Sequence, residues 1–323
     1  MTMWDTAEGL MYFLVRPLLM CRVGGNQVAS ASSAESMTSE EITQAFATQP
    51  AAEMLDYDLV GAVLGTGNVG LIAPDAVAKF VAEIRPELSS MELVRRHTSI
   101  HVPRGIGLVD DLLVQQYIPG QRLSHAWATM SWWRRFRVLL TLRFYIRELR
   151  SLSSRIGDPA FPGPLCSHDH EQSPQLCKGR LFNESGGSGP FATYRELSRW
   201  YKNRLLVMQR FRNVDQNIAQ FDDRSPLVFT HMDIHMDNII VGDDGHLWII
   251  DWADAGWYPK WFEAASMTIF ARLRGSPWVD WISFVAGNCE KPGQLPFIHA
   301  ISWSLNTLTS DIINLIDSDP RHN

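Results

Sequence analysis

PLVFTHMDIHMDNIIVGDDGHLWIIDWADAGWYPKWFE, residues 226–263, decides the reading of this chain. Leu227-Val228-Phe229 reads as a strand leading into a loop from His231 to Asn238. Ile239-Ile240-Val241 and Leu247-Trp248-Ile249-Ile250 read as two short strands, and Gly242-Asp243-Asp244-Gly245 between them has hairpin-turn composition. Asp251 stands at the far end of the second strand. Asp233, Asn238 and Asp251 can therefore converge at one end of one hairpin. Two carboxylates and an amide so gathered suit a hard divalent cation and a phosphate.

Upstream, Leu59 to Leu64, Gly65-Thr66-Gly67-Asn68-Val69-Gly70, Leu71-Ile72, Pro74-Asp75 and Ala76 to Phe80 read as strand, glycine turn, strand, turn, strand. The spacing of Gly65, Gly67 and Gly70 lets backbone amides approach phosphate oxygens without obstruction by Cβ. A dinucleotide fold requires a helix to open at the glycines. Here an apolar stretch containing Pro74 follows, which favours a kinase-type loop; a glycine-rich turn without a ligand is the plainer alternative. Lys79, at the end of the next strand, is a candidate for holding nucleotide phosphates, although most lysines are solvated surface residues. The spacing predicts a helix from Glu87 to Arg96, and of Glu83, Glu87 and Glu92 we choose Glu87 as the partner of Lys79. Leu112 to Ile118 reads as a strand broken by Pro119-Gly120, a hinge whose backbone near Gln116 and Ile118 can read an adenine edge; an ordinary edge strand is the alternative.

The rest is mainly helical. Ser131 to Leu152 is amphipathic with an arginine-rich polar face, and Thr193 to Phe211 resumes the helical period. Pro259 to Leu273, Pro277 to Ala286 and Phe297 to Ile316 are apolar enough for three more helices. Residues 154–190 are loop-like, and the spacing of Cys166, His168, His170 and Cys177 matches no common zinc module. Residues 1–50, with the low-complexity run Ala29 to Ala34, read as a disordered extension that includes a short helix from Glu40 to Phe46. The expected class is α+β in two lobes: a small β-rich N-lobe over 51–118 and a larger, mainly helical C-lobe over 119–323 with an embedded hairpin.

Composition narrows the function classes. The net charge of −6 argues against a broad nucleic-acid surface. Four scattered cysteines give no disulfide framework and fit reduced thiols in the cytoplasm. The apolar run from Gly9 to Cys21 is interrupted by Arg16 and Pro17, so no segment reads as a membrane span, and no membrane or obligate protein partner is expected.

His231-x-Asp233-x-x-x-x-Asn238, followed by Asp251-Trp252, carries the chemistry. Phosphoryl transfer needs a carboxylate to orient the attacking group and accept its proton, and oxygen ligands to hold magnesium against nucleotide phosphates. Asp233 suits the first role, Asn238 and Asp251 the second, and His231 would brace the loop. The ordered series resembles the protein-kinase-like superfamily, and within it the aminoglycoside phosphotransferase (phosphotransferase enzyme) family, closest to its fungal branch. His97 to Pro103, Tyr117-Ile118-Pro119-Gly120, Leu123 to Trp127, Gly189-Pro190-Phe191, His231 to Asn238, Ile250-Asp251-Trp252 and Trp257 to Glu263 carry the likeness. The resemblance implies a protein-kinase-like fold, ATP and Mg2+, Asp233 as catalytic base, Asn238 and Asp251 as metal ligands, and Lys79 on the ATP phosphates. Met232 departs from the glycine of many relatives, and Trp252-Ala253 from the Phe-Gly of protein kinases.

The short span from Asp251 to Pro259 and Glu263 leaves no room for a peptide-binding activation segment, which favours a small-molecule acceptor. Two rivals stay open. The alternating His231, Asp233, His235 and Asp237 could ligate metal in a hydrolase. Alternatively, the chain could be a kinase-like binding protein without catalysis.

Overall fold

The computed structural model describes residues 16–21, 31–48, 69–80, 84–165, 173–183, 186–287 and 291–307. Gly65, Gly67, Glu83 and the Cys166–His170 cluster lie outside the described residues. The chain forms two compact units, one from Met1–Leu149 with Ile234–Ala253, the other from Arg150–Asp233 with Asp254–Asn323. The sequence reading divides the chain at 118/119. The contacts divide it after Leu149, because residues 120–122 pair with the hairpin and the long helix beyond them bonds to it.

In the first unit, strands β1 (Val69–Ala73), β2 (Ala76–Phe80), β3 (Gly105–Val109) and β4 (Leu112–Gln116) form an antiparallel sheet in the order β1-β2-β4-β3. Side chains alternate across a strand. Ala76 and Ala78 thus join Ile72, Leu112 and Val114 in one apolar cluster, while Val77 and Lys79 take the opposite face. Gly70 is a β1 residue paired with Ala78, so it stands in a strand and not in a glycine loop.

Residues 31–48 correct the expected disordered extension. Thr38 and Glu41 form a reciprocal capping box that starts helix α1 (Ser39–Ala47). Ala34 and Ile42 are buried in the cluster of the sheet, and Met37, Ala45 and Phe46 pack against it. The short helix expected at Glu40–Phe46 is present as α1, and what the local sequence did not reveal is the sheet face that it covers.

Helix α2 (Ile84–His97) follows β2 and packs against β3 and β4. Strand β5 (Gly120–Arg122) joins β8 (Ile239–Gly242) and β9 (Leu247–Ile249) in a second antiparallel sheet, ordered β5-β8-β9. Gly120 has φ 150°, and a Cβ there would strike the Val241 carbonyl, so this close pairing requires glycine. Helix α3 (Trp132–Arg150) braces the hairpin through Tyr145 Oη, which donates to the Leu247 carbonyl at 2.8 Å.

The second unit holds a three-stranded sheet of β6 (Gly163–Pro164), β7 (Leu227–Thr230) and β10 (Gly256–Pro259), with β10 central. The sequence reading opens a helix at Pro259. Instead, Pro259 ends β10 opposite Leu227, and helix α5 (Phe262–Leu273) starts three residues later. Helices α4 (Tyr194–Phe211), α5 and α6 (Gln294–Thr307) surround an aromatic core of Phe182, Tyr201, Phe221, Tyr258, Phe262 and Phe297. Among the described residues, no helix is long and apolar enough to cross a membrane. The class is α+β, a β-sheet region followed by a mainly helical one with an embedded hairpin.

Ile42→Ala tests the role of the amino-terminal segment: it should cost about 2–4 kcal/mol by chemical denaturation, as for other buried aliphatic truncations. A cost near zero would show that α1 does not contribute to the folded core.

Candidate active site

Strand β2, helix α2 and the end of the β8–β9 hairpin each bring one charged side chain to a common point in the first unit. Lys79 Nζ lies 3.1 and 3.2 Å from the Glu87 oxygens and 2.6 Å from Asp251 Oδ1. Glu87 is fully buried and also accepts the backbone N–H of Trp252. Burial alone would lower the Lys79 pKa, but Asp251 and then Glu87 outweigh it and raise the value well above the usual lysine range. Burial raises the Glu87 pKa, against the attraction of Lys79. Of the two candidate glutamates among the described residues, Glu87 is the one that meets Lys79. Glu92 pairs with Arg96 on the exposed side of α2, and Glu83 is outside the described residues.

Asn238 and Asp251 come together because the hairpin ladder pairs Ile239 with Ile249, and Ile250 N–H donates to the Asn238 carbonyl at 3.0 Å. Asp251 follows directly, with φ 63°, in the left-handed region that costs a non-glycine residue on the order of 1–3 kcal/mol. Its carboxylate is about a third exposed, and Asn238 is buried. One ammonium between two carboxylates leaves an excess negative charge, and the backbone of Asn238 lies one ladder step away, through its carbonyl bond to Ile250. This hard-oxygen set fits a magnesium ion shared with phosphates.

The second unit holds the loop that carries His231 and Asp233. Glu263, in the first turn of α5, accepts His231 N–H at 2.7 Å and Met232 N–H at 3.2 Å. Ser266 Oγ donates to the Met232 carbonyl. Met232 has φ 71°, where glycine would be unstrained, and Glu263 and Ser266 hold its backbone there. Asp233 N–H donates to His231 Nδ1 at 3.2 Å, so the neutral ring carries its hydrogen on Nε2. Burial pushes the Glu263 pKa up to about 7, against the two backbone N–H donors and Arg150, and Asp233 adds to the rise. Sequence reading used Glu263 only as an anchor after Asp251. Its position inside the apolar run of α5 was the available sign of a special role.

The His/Asp alternation has a local explanation. His235 Nδ1 accepts Asp237 N–H at 3.2 Å, repeating the turn made by His231 and Asp233. Among the described residues, no three His, Cys, Asp or Glu side chains gather as metal ligands, which removes the geometric support for the hydrolase reading. At the expected hinge, which lies within the first unit, Gln116 N–H donates to the Arg104 carbonyl and Tyr117 N–H to the Asp75 carbonyl, while Ile118 is buried with Ile240, Trp248 and Ile250. The amides of Gln116 and Tyr117 are thus engaged within the protein.

Glu263 predicts a pH dependence. Its folded-state pKa of about 7 lies above the ordinary 4.5, so its contribution is fully present below pH 4.5. That contribution is lost as pH rises to about 7, because the unfolded chain releases the proton first. The Tm advantage of the wild type over Glu263→Gln should therefore shrink between pH 5 and 8 in calorimetry. A constant difference would contradict the shift.

A search of curated protein sequences returned no match. Among solved structures, the chain is similar to the streptomycin–ATP ternary complex of APH(2″)-IIa, with 13% identity over 75% of this chain and 83% of that one, TM-score 0.41. It is similar to the macrolide 2′-phosphotransferase MphH of Brachybacterium faecium, with 12% identity over 76% and 81%, TM-score 0.39. It is also similar to a choline/ethanolamine kinase family protein of Mesorhizobium loti, with 15% identity over 78% and 77%, TM-score 0.40. Residues 72–286, well over half of the chain, match the family model described as the phosphotransferase enzyme family, APH, and the chain belongs to that family.

Proposed function

We propose that this chain transfers the γ-phosphoryl group of ATP, with magnesium, to a hydroxyl or amine of a small molecule. The observation that carries the reading is Lys79 held between Glu87 and Asp251, with Asn238 just before the strand paired to the one that ends near Asp251. Lys79 is poised to hold nucleotide phosphates, and Glu87 fixes its direction. Asn238 and Asp251 would hold magnesium, which when bound neutralises charge on the phosphates. Asp233 acts as the base that orients the acceptor and takes its proton, and His231 with Glu263 holds the loop on which Asp233 stands. Gly65, Gly67 and the backbone near Ile118 are assigned to the nucleotide on the sequence pattern alone.

The acceptor is a small molecule, because β10 and α5 follow Asp251 at once and leave no segment to bind a peptide. Helices of the second unit would supply its contacts. A reducing compartment such as the cytoplasm suits the chain, with Cys21 and Cys177 as free thiols.

Two variants test the assignment. Asp233→Asn should bind ATP as the wild type does and transfer phosphate at least about a hundredfold more slowly. Wild-type turnover would remove Asp233 as the base. Wild-type ATP binding with no turnover against a broad panel of metabolites would favour a binding protein. Asp251→Ala should lose the magnesium-dependent part of nucleotide affinity in titration calorimetry, and unchanged affinity would remove it as a ligand.

A further inference from the structure

Helix α3 begins in a way that works against its own stability. Ser131 starts it, accepting Arg134 N–H on its hydroxyl at 3.3 Å and Arg135 N–H on its carbonyl at 3.0 Å. The first turns then carry Arg134, Arg135 and Arg137 and no acid, although the N-terminal end of a helix is its positive end. Among the described residues no carboxylate pairs with these three arginines. Arg135 donates to the carbonyls of Trp127 and Ala128, and Arg137 to that of Leu18, contacts that leave both charges in place.

Beside them, Trp132 and Trp133 stand exposed, at 71% and 48%. Both rings stack on Phe136, with centroids 5.9 and 5.7 Å apart. The surrounding sequence sharpens the contrast. From Leu112 to Arg147 the chain has six arginines and no Asp or Glu, while the whole molecule carries −6. A cationic, tryptophan-bearing corner on an acidic protein breaks the usual preference for buried indoles and for acids at helix starts. Such breaches concentrate at functional surfaces.

We propose that the start of α3 is a docking surface for an anionic lipid bilayer. Indole rings favour headgroup depth, where their apolar body and polar N–H are both satisfied. Guanidinium groups pair with lipid phosphates, and the positive corner complements a negatively charged leaflet. The three rings offer much less than the roughly 800 Å² that each partner buries in a standard protein interface. They are enough to add apolar insertion to electrostatic attraction at a lipid surface. Attachment of this kind is peripheral and needs no spanning helix. It is independent of the catalytic assignment and brings the protein to the membrane face.

Vesicle flotation of the full chain tests it, using phosphatidylcholine alone and equal parts of phosphatidylcholine and phosphatidylserine. The wild type should float with the serine-lipid vesicles, remain behind with phosphatidylcholine alone, and be released by high salt. Trp132→Ser with Trp133→Ser should lower partitioning about tenfold or more. Arg134→Gln, whose side chain has no charged partner to lose among the described residues, should lower it about fivefold at an unchanged Tm. Equal flotation of the tryptophan variant and the wild type would overturn the proposal. So would equal binding to neutral and charged vesicles, or no binding to either. Self-association that the tryptophan variant abolishes, without vesicle binding, would overturn it in favour of a second copy of the chain.

Discussion

An ammonium group largely withdrawn from water survives only if anions meet it at hydrogen-bond distance, and the organisation of the first unit follows from meeting that condition at Lys79. Each anion comes from a separate element. Glu87 comes from α2, and Asp251 from the end of a hairpin 172 positions away in sequence. The parity of β2 sends Ala76 and Ala78 to the face covered by α1 and leaves Lys79 on the other. A one-residue slip of register would reverse that choice and bury the charge among alanine, isoleucine and leucine. The apolar cluster beneath α1 therefore aims the lysine as well as stabilising the sheet.

The loop that carries His231 and Asp233 meets a different constraint, a backbone in an unfavourable region. Met232 lacks the freedom of glycine at φ 71°. A carboxylate gripping two successive amides and a hydroxyl on the following carbonyl together over-determine the turn. Glu263 is well placed for this work, because the start of a helix favours negative charge. Burial opposes that preference and raises the pKa of the carboxyl to about 7.

Much of this was readable from residue order. Alternation and turn residues located β1, β2, β4, β7, β8 and β9, and the spacing of Lys79, Glu87, Asn238 and Asp251 picked out side chains that the fold brings together. Strand β10 was hidden, because Gly-Trp-Tyr-Pro shows no alternation when both faces are buried. The short helix within residues 31–48 was legible, but its docking was hidden, because its few apolar side chains report a sheet face that lies far along the chain. Glu263 was read only as an anchor after Asp251, since the amides it grips lie 31 and 32 positions away. In each case the deciding partner was remote in sequence.

The hairpin also bears on how the chain is made. Residues 234–253 belong to the compact unit begun by residues 1–149, and the 84 residues between belong to the other unit. Neither unit is a continuous stretch of chain. During synthesis, the first cannot close its second sheet until β8 and β9 have emerged, so β5 and α3 wait with their hairpin-facing groups unpaired. Such late, long-range closure raises contact order and slows folding. It also means that cutting the chain at 149 would not release an autonomous domain, since the fragment would lack the strands that complete it.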